Sequence, residues 1–194
     1  MSRGHKLGEG SFGCVYQGMY QGKSNGKGSR KKGLPPQMAI KVVRVEDQRL
    51  QDKLQAECEL LRTFKHENII EYFGCVKDEE KKEASIFMEL MPHSLLTAYK
   101  NFGPMNEKVI RRYTIQILRA LKYLHEHEKG IIHGDVKAAN ILYDGSLIKL
   151  TDFGESRVLK VNNQQLGKSF TMQSGKLFDE IKGSILWMAP EALK

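Results

Sequence analysis

Residues 131–154 constrain the fold more than any other stretch, because short apolar runs alternate there with chemically capable polar groups. Asp135, Lys137 and Asn140 lie within six residues, between two apolar pairs, and a further apolar run ends just before Asp152. The pattern predicts two short strands that hold a carboxylate, an amide and a second carboxylate at one edge. Such groups suit phosphoryl transfer from ATP, which needs an aligned hydroxyl, a carboxylate to accept its proton and metal ions to neutralise phosphate charge.

The composition is that of an ordinary globular protein. Of 194 residues, 40% are hydrophobic and 28% are charged, and no apolar run approaches the roughly 18 residues that span a membrane. The N-terminal residues lack the apolar core of a signal peptide. Cys14, Cys58 and Cys75 are odd in number and have no CxxC spacing. We therefore expect free thiols and a reducing compartment, by default the cytoplasm or the nucleus.

The net charge of +8 is concentrated in one glycine-rich segment. Five Lys and Arg residues lie in residues 23–32 without an acidic residue, and the rest of the chain carries +3. Residues 21–37 contain four glycines and two prolines and are expected to form a loop. A solvated loop is the simpler interpretation, and a docking patch for an acidic partner or nucleic acid is the alternative.

Three glycines near the N-terminus, Gly8, Gly10 and Gly13, have the spacing of a phosphate-binding loop. Glycines at this spacing let backbone N–H groups approach phosphate oxygens, because no Cβ stands in the way. The spacing fits either a dinucleotide-binding turn, which opens a helix, or a hairpin that covers phosphates. The strand-forming run 14–16 follows at once, so we expect the hairpin.

A strand and a helix come next. Residues 38–45 predict a strand that contains Lys41, and a lysine in such a strand must find a negative partner or emerge to solvent. Residues 47–64 predict a helix with one apolar stripe. Its carboxylates include Glu57, beside the stripe, and Glu59, on a more exposed side.

Further strands are expected in residues 65–76 and 84–90, followed by an extended connector at Pro92. Residues 106–127 predict the clearest helix of the chain. Its expected apolar face consists of Ile110, Thr114, Ile117, Leu121 and Leu124.

The motifs of the chain together resemble those of protein kinases, in the family's order. Residues 133–140, HGDVKAAN, and 152–154, DFG, resemble the catalytic loop H-R-D-L-K-x-x-N and the magnesium loop, with Gly134 in place of the arginine. The glycine-rich loop, the MAIK of residues 38–41, and GSILWMAPE near the C-terminus match further kinase motifs. Within the family the wording is most similar to the mitogen-activated protein kinase kinase kinases of the sterile-20/sterile-11 type.

The resemblance implies an α+β, two-lobed fold. Residues 1–91 would form a small β-rich lobe with the glycine-rich loop, one helix and the hinge. Residues 92–194 would form a mainly helical large lobe that is incomplete and ends after the A-P-E motif. Because a two-lobed kinase normally needs about 250 residues, we expect a C-terminally truncated chain that is poorly soluble or weakly active.

The resemblance also implies the catalytic residues, all expected around one ATP. Asp135 would accept the substrate proton, and Lys137 would steady the γ-phosphate. Lys41 would grip the α- and β-phosphates, paired with Glu57, for which Glu59 is the competing choice. Magnesium would be held by Asn140 and Asp152.

The remaining nucleotide contacts implied by the resemblance come from the lid, the hinge and the apolar residues around adenine. They are Leu7, Gly8, Glu9, Gly10, Ser11, Phe12, Gly13, Cys14, Val15, Ala39, Met88, Glu89, Met91 and Leu142. For Cys14, a small residue that merely fits a strand is the simpler interpretation. Leu61, Tyr72, His133 and Phe153 match the stacked residues of an assembled active form.

The resemblance implies a serine/threonine kinase that phosphorylates a protein, possibly a downstream kinase of a MAP kinase cascade, without a membrane or nucleic-acid partner. A pseudokinase or docking module that binds nucleotide is the alternative, and nucleic-acid binding is a third hypothesis. Ser169, Thr171 and Ser174 are candidate phosphate acceptors. Because Gly134 cannot pair with a phosphate, phosphorylation of these hydroxyl residues is either unnecessary for activity or acts through another cation, such as Arg157 or Lys160.

Overall fold

The computed structural model describes residues 2–10, 13–20, 34–159, 187, 189 and 190. Contacts divide the chain into two units, one comprising Met1–Lys65 with Ile70–Met91 and the other His66–Ile69 with Pro92–Lys194. One boundary between these units falls between Met91 and Pro92, and His66–Ile69 belongs to the second unit although it lies within residues 1–91. Ser169, Thr171, Ser174, Lys160 and Glu191 lie outside the described residues.

The first unit contains a five-stranded antiparallel sheet. Its strands are β1 (Ser2–Gly10), β2 (Gly13–Met19), β3 (Gln37–Arg44), β4 (Tyr72–Asp78) and β5 (Glu83–Met88), in the order β1-β2-β3-β5-β4. The glycine-rich segment forms the β1–β2 hairpin, in which Gly10 lies opposite Gly13. A hairpin rather than a helix thus follows the glycines, as the sequence predicted.

The helix of the first unit, α1 (Gln48–Leu61), begins at a side-chain cap. The Asp47 carboxylate accepts a hydrogen bond from the Leu50 N–H (2.8 Å), which satisfies one of the unpaired donors of the first turn. Leu54, Cys58 and Leu61 are buried as the stripe predicted, but Leu50 is exposed. The predicted stripe thus extended one turn too far towards the N-terminus, where the helix has just begun.

The strand predicted over residues 65–76 begins later, at Tyr72. The preceding residues turn instead, because the Ile69 N–H donates to the His66 carbonyl and the Asn68 N–H donates to His66 Nδ1 (3.1 and 3.0 Å). Asn68 is itself buried, and its side-chain amide donates to the Ile148 carbonyl in the second unit (3.0 Å). These bonds use the polar groups that a strand would have left for a neighbouring strand.

The second unit combines helices with short strands. In chain order these are β6 (His93–Ser94), α2 (Leu95–Phe102), α3 (Glu107–Glu126), β7 (Ile131–Ile132), a single 3-10 turn (Ala138–Asn140), β8 (Ile141–Tyr143), β9 (Ile148–Leu150) and β10 (Arg157–Val158). Within the described residues, the strands form one sheet in the order β6-β8-β9 and a pair formed by β7 and β10. No helix in the described part of the chain is long and apolar enough to cross a membrane.

Helix α3 matches the predicted element but presents a different face to its unit. Its capping residue is Asn106, whose side chain accepts from the Val109 N–H (3.0 Å). The buried residues are Tyr113, Ala120 and Leu124, whereas Ile110, expected on the apolar face, is exposed. The inward side is partly polar, because the Tyr113 hydroxyl donates to the Gly145 carbonyl (3.0 Å). Apolar periodicity alone could not reveal such a face.

Candidate active site

Lys41 and Glu57 form a largely buried ion pair in the first unit. Lys41 Nζ lies 3.6 Å from Glu57 Oε1, and the two side chains are only 10% and 13% exposed. Glu59, the competing carboxylate, is exposed and accepts a hydrogen bond from Gln55 Nε2 (3.0 Å) on its own helix. Of the two carboxylates that the sequence left open, the structure therefore places Glu57 beside the lysine.

The strand register places Lys41 on the same face of the sheet as three residues expected to contact adenine. Val15 lies opposite Lys41, and Ala39 lies opposite Met88. Residues that lie opposite each other, or two apart on one strand, share a face. This face therefore combines one cation with apolar side chains, a surface suited to the phosphates and ring of a nucleotide.

Cys14 lies on the other face of the same sheet. Its register partner is Val42, which is packed with Met38 and Ile40 in a separate hydrophobic cluster. Any contact of Cys14 with a ligand on the Lys41 face would therefore involve its backbone. Its side chain lies on the sheet face that carries the apolar cluster and close to Lys6.

The hairpin lid is exposed on its β1 side, where Leu7, Gly8 and Glu9 lie. The Glu9 carboxylate forms an ion pair with Lys6 (2.6 Å). Ser11 and Phe12 lie outside the described residues. Gly13 has a φ of +136°, and a Cβ at this position would collide with the Val42 carbonyl. The third glycine is therefore required by close packing of two strands.

The hinge residues Glu89 and Met91 follow β5 at the end of the first unit. The Glu89 N–H donates to the Glu71 carbonyl (2.9 Å), and the Glu71 N–H donates to the Glu89 carboxylate (3.2 Å). Because the Glu89 N–H is already engaged, the purine contact expected from its backbone would have to use its carbonyl.

In the second unit, three predicted residues meet around one carboxylate. Lys137 Nζ lies 2.8 Å from Asp135 Oδ2. The Asn140 side-chain amide donates to the same oxygen and to the Asp135 backbone carbonyl, both at 2.9 Å. The Asp135 side chain is only 9% exposed. Two charge-assisted contacts to a nearly buried carboxylate fix its direction.

His133 holds the backbone of this loop in place. The ring is 1% exposed, and its Nε2 lies 3.0 Å from the Thr151 carbonyl. Because a carbonyl can only accept, Nε2 carries the proton, and Nδ1 accepts from the Asp135 N–H (3.3 Å). Burial lowers the pKa of His133, so the ring is neutral in this role. Its ring also contacts Phe153, with centroids 4.8 Å apart.

Asn140 and Asp152 lie at the same end of the β8–β9 hairpin, just before β8 and just after β9. Ile141 lies opposite Leu150, and the Thr151 N–H donates to the Asn140 carbonyl (3.0 Å). Asp152 has a φ of +63°, the left-handed region that non-glycine residues rarely occupy. Such a conformation persists only where the surrounding structure enforces it, which is frequent at functional sites.

The donor set at this hairpin end fits magnesium. The Asn140 side chain makes both of its hydrogen bonds to Asp135 through its nitrogen, which leaves the amide oxygen Oδ1 as its potential ligand. Asp152 supplies a half-buried carboxylate. Mg²⁺ takes oxygen ligands and commonly uses only one or two carboxylates together with phosphates and water. The described residues contain no cluster of three or more His, Cys, Asp or Glu residues suited to hold a metal on its own.

Gly134 occupies the position of the arginine in the kinase catalytic-loop motif. Its φ is +82°, and a Cβ there would collide with the backbone carbonyl of Glu155. The glycine is thus adapted to its local backbone as well as lacking a charge. Nothing in the sequence indicated that Gly134 is needed for this close approach, or that the Thr151 carbonyl bonds to His133. Both are contacts to backbone atoms, which leave no signal in the identity of a side chain.

The fold and these two groups of residues define a protein kinase domain. The sequence profile of the protein kinase domain matches residues 1–194, and the chain belongs to this family. The predicted α+β fold, with a β-rich first lobe and a helical second part, is confirmed.

Named relatives extend the comparison to a subgroup. The chain is 35% identical to the mitogen-activated protein kinase kinase kinase MST11 of Pyricularia oryzae, over 99% of this chain and 20% of that protein. It is 35% identical to mitogen-activated protein kinase kinase kinase 3 of Homo sapiens, over 98% of this chain and 28% of the relative. It is 40% identical to the serine/threonine-protein kinase STE11 of Saccharomyces cerevisiae, over 74% of this chain and 18% of the relative. The predicted resemblance is confirmed, and the chain spans roughly a fifth to a quarter of these relatives' length.

Proposed function

We propose that this chain is the catalytic part of a serine/threonine protein kinase that transfers the γ-phosphate of ATP to a protein hydroxyl. The arrangement around Asp135 carries the proposal, because Lys137 and Asn140 converge on a carboxylate that is nearly buried. A carboxylate so oriented can align a substrate hydroxyl and accept its proton. The lysine at position 137 is also the type expected in serine/threonine kinases.

The residues of the first unit would bind the nucleotide. Lys41 contributes a positive charge to the α- and β-phosphates, and Glu57 fixes the direction of the lysine side chain. The backbone of the glycine-rich hairpin would cover the phosphates. Ala39, Val15 and Met88 would contact adenine, because they share the face that carries Lys41.

The residues of the second unit would perform the chemistry. Asp135 accepts the proton of the substrate hydroxyl, and Lys137 steadies the γ-phosphate while it also contacts Asp135. Asn140 Oδ1 and the Asp152 carboxylate would hold Mg²⁺, which when bound would neutralise negative charge on the phosphates. His133 stays neutral and maintains the backbone position of Asp135.

The relatives' names support a finer proposal for the substrate. MST11 and the human relative are called mitogen-activated protein kinase kinase kinases, which makes another protein kinase the proposed substrate. We further propose that the protein acts in a MAP kinase cascade in the cytoplasm.

A phosphoryl-transfer assay with γ-labelled ATP on the 194-residue chain tests the enzyme proposal. Asp135→Asn should lower turnover by about 10²–10⁴-fold, the range for loss of a general base, while ATP binding is retained. Asp144→Asn is the matched control, because Asp144 is an exposed acid of the same unit whose turn an asparagine can preserve. Transfer should also require magnesium.

Two results would refute the enzyme proposal. One is nucleotide binding with no transfer in the unmodified chain, which would select the pseudokinase alternative. The other is equal turnover in the Asp135→Asn and Asp144→Asn variants, which would show that the carboxylate at position 135 takes no part.

A further inference from the structure

Two of the three cysteines face each other across the interface of α1 and β4 in the first unit. In the sheet register, Cys75 lies opposite Ile86, and Ile86 lies opposite Lys41. The three side chains therefore form one row on one face of the sheet. Lys41 pairs with Glu57 on α1, so this face is the one that α1 covers. Cys58, the residue after Glu57, thus lies over the Cys75 end of the row.

The thiols of this pair are neighbours. Cys75 is close enough to be the main influence on the pKa of the Cys58 thiol, and the Tyr72 hydroxyl also acts on it. Cys58 is only 6% exposed and Cys75 is half-buried. Cys14 cannot join the pair, because its register partner Val42 places it on the opposite face of the sheet.

From this geometry we infer that Cys58 and Cys75 are a reversible redox pair, which a hydroperoxide converts to a disulfide that tethers α1 to β4. The inference goes beyond phosphoryl transfer and does not depend on it. The bridge would begin at the residue that follows Glu57. It would hold the helix against the sheet in the arrangement that pairs Glu57 with Lys41.

The environment makes the two sulfurs unequal, which defines the order of the steps. The neighbouring Cys75 thiol holds the pKa of the Cys58 thiol below its usual range, with help from the Tyr72 hydroxyl and the Arg62 charge, although burial and Glu57 oppose it. The proximity of Cys58 and burial raise the pKa of Cys75. Because the thiolate is the nucleophile, Cys58 reacts first.

The oxidation balances with one hydroperoxide per pair. The Cys58 thiolate attacks a peroxide oxygen, so that an S–O bond forms, the O–O bond breaks, and the leaving oxygen takes a proton. The Cys75 sulfur then attacks the Cys58 sulfur. An S–S bond forms and the S–O bond breaks, with the Cys75 proton leaving in water. Two thiols are oxidised by two electrons, and hydrogen peroxide is reduced to two water molecules.

Peptide mass spectrometry of the full chain tests the pair. The protein is treated with hydrogen peroxide, its remaining thiols are alkylated, and trypsin releases the cysteines on the separate peptides 7–23, 54–62 and 66–77. We expect a crosslink between peptides 54–62 and 66–77, in the unmodified chain and in Cys14→Ser, that dithiothreitol reverses. In Cys75→Ser no second thiol is present to form the disulfide, so the sulfenic acid of Cys58 should persist and be trapped by dimedone.

A second measurement follows helix α1 itself rather than the crosslinked peptides. Hydrogen exchange of the α1 amides should slow when the unmodified chain is oxidised, and should not slow in Cys75→Ser. The inference is overturned if Cys58 and Cys75 are both still alkylated after peroxide treatment. It is equally overturned if the crosslinks involve Cys14 or a second chain.

Discussion

Replacing Glu57 with glutamine should destabilise the first unit, because it removes the carboxylate charge beside a buried lysine. Over the 3.6 Å between Lys41 Nζ and Glu57 Oε1, an effective dielectric constant of about 20 gives an attraction of about 4–5 kcal/mol. The desolvation of both groups offsets part of this attraction in the intact protein. Removing one partner nevertheless leaves the other charge buried, at a typical cost of about 3–5 kcal/mol.

We therefore expect Glu57→Gln to lower the free energy of unfolding by about 3 kcal/mol. Urea denaturation followed by circular dichroism measures this loss. Glu59→Gln is the matched control, because Glu59 is exposed on the same helix and a glutamine can still bond to Gln55. Its effect should stay within about 0.5 kcal/mol.

A double substitution separates the interaction between Lys41 and Glu57 from the interactions of each residue with its other neighbours. Lys41→Met combined with Glu57→Leu removes both charges, so it should cost less than the sum of the two single changes. Additive losses, or equal losses for Glu57→Gln and Glu59→Gln, would refute the assignment of Glu57 as the partner that stabilises Lys41.

Two further predictions concern the second unit. Gly134→Ala combines a φ of +82° with a collision against a backbone carbonyl, so it should cost about 2–3 kcal/mol in urea denaturation. Gly145→Ala, at a φ of +102° with open space around it, should cost only about 1–2 kcal/mol. Stability should fall from pH 7 to pH 5, because burial lowers the folded-state pKa of His133, and below about 6.5 the unfolded chain binds more protons. The melting temperature measures this loss, and in His133→Gln it should fall less over the same pH range.

Each of these outcomes can fail clearly. Equal losses for the two glycine variants would show that the Glu155 carbonyl moves aside. An unchanged pH dependence in His133→Gln would assign the decline to other groups, among them His66, whose pKa burial also lowers.

The sequence predicted the elements whose signals are local. The strand-forming residues after Gly13 indicated a hairpin, and the periodicity before Gly130 indicated the long helix, which the structure has as α3. The spacing of Asp135 and Asn140 also indicated a shared site, and the structure brings the two side chains within hydrogen-bonding distance. Short-range spacing is thus sufficient where one loop provides all the groups.

Features that depend on contacts between distant segments could not be predicted in the same way. The buried side of α3 includes Tyr113, whose hydroxyl bonds to a loop some thirty residues later. The turn at Asn68 replaces a predicted strand, because the Asn68 side chain reaches the Ile148 carbonyl. The proximity of Cys58 and Cys75 follows from the register of three strands together with the Lys41–Glu57 pair, for which the cysteine spacing carries no signal.

The pairing of β7 with β10 closes the catalytic segment into a loop whose two ends share one anchor. The Leu159 N–H donates to the Gly130 carbonyl (2.7 Å), so the intervening chain leaves and returns at the same point. Asp135 and Asp152 both lie on this closed loop. Within it, the hydrogen bond between His133 and the Thr151 carbonyl joins the neighbourhoods of the two carboxylates, so a displacement of either one is transmitted to the other through the same closed segment.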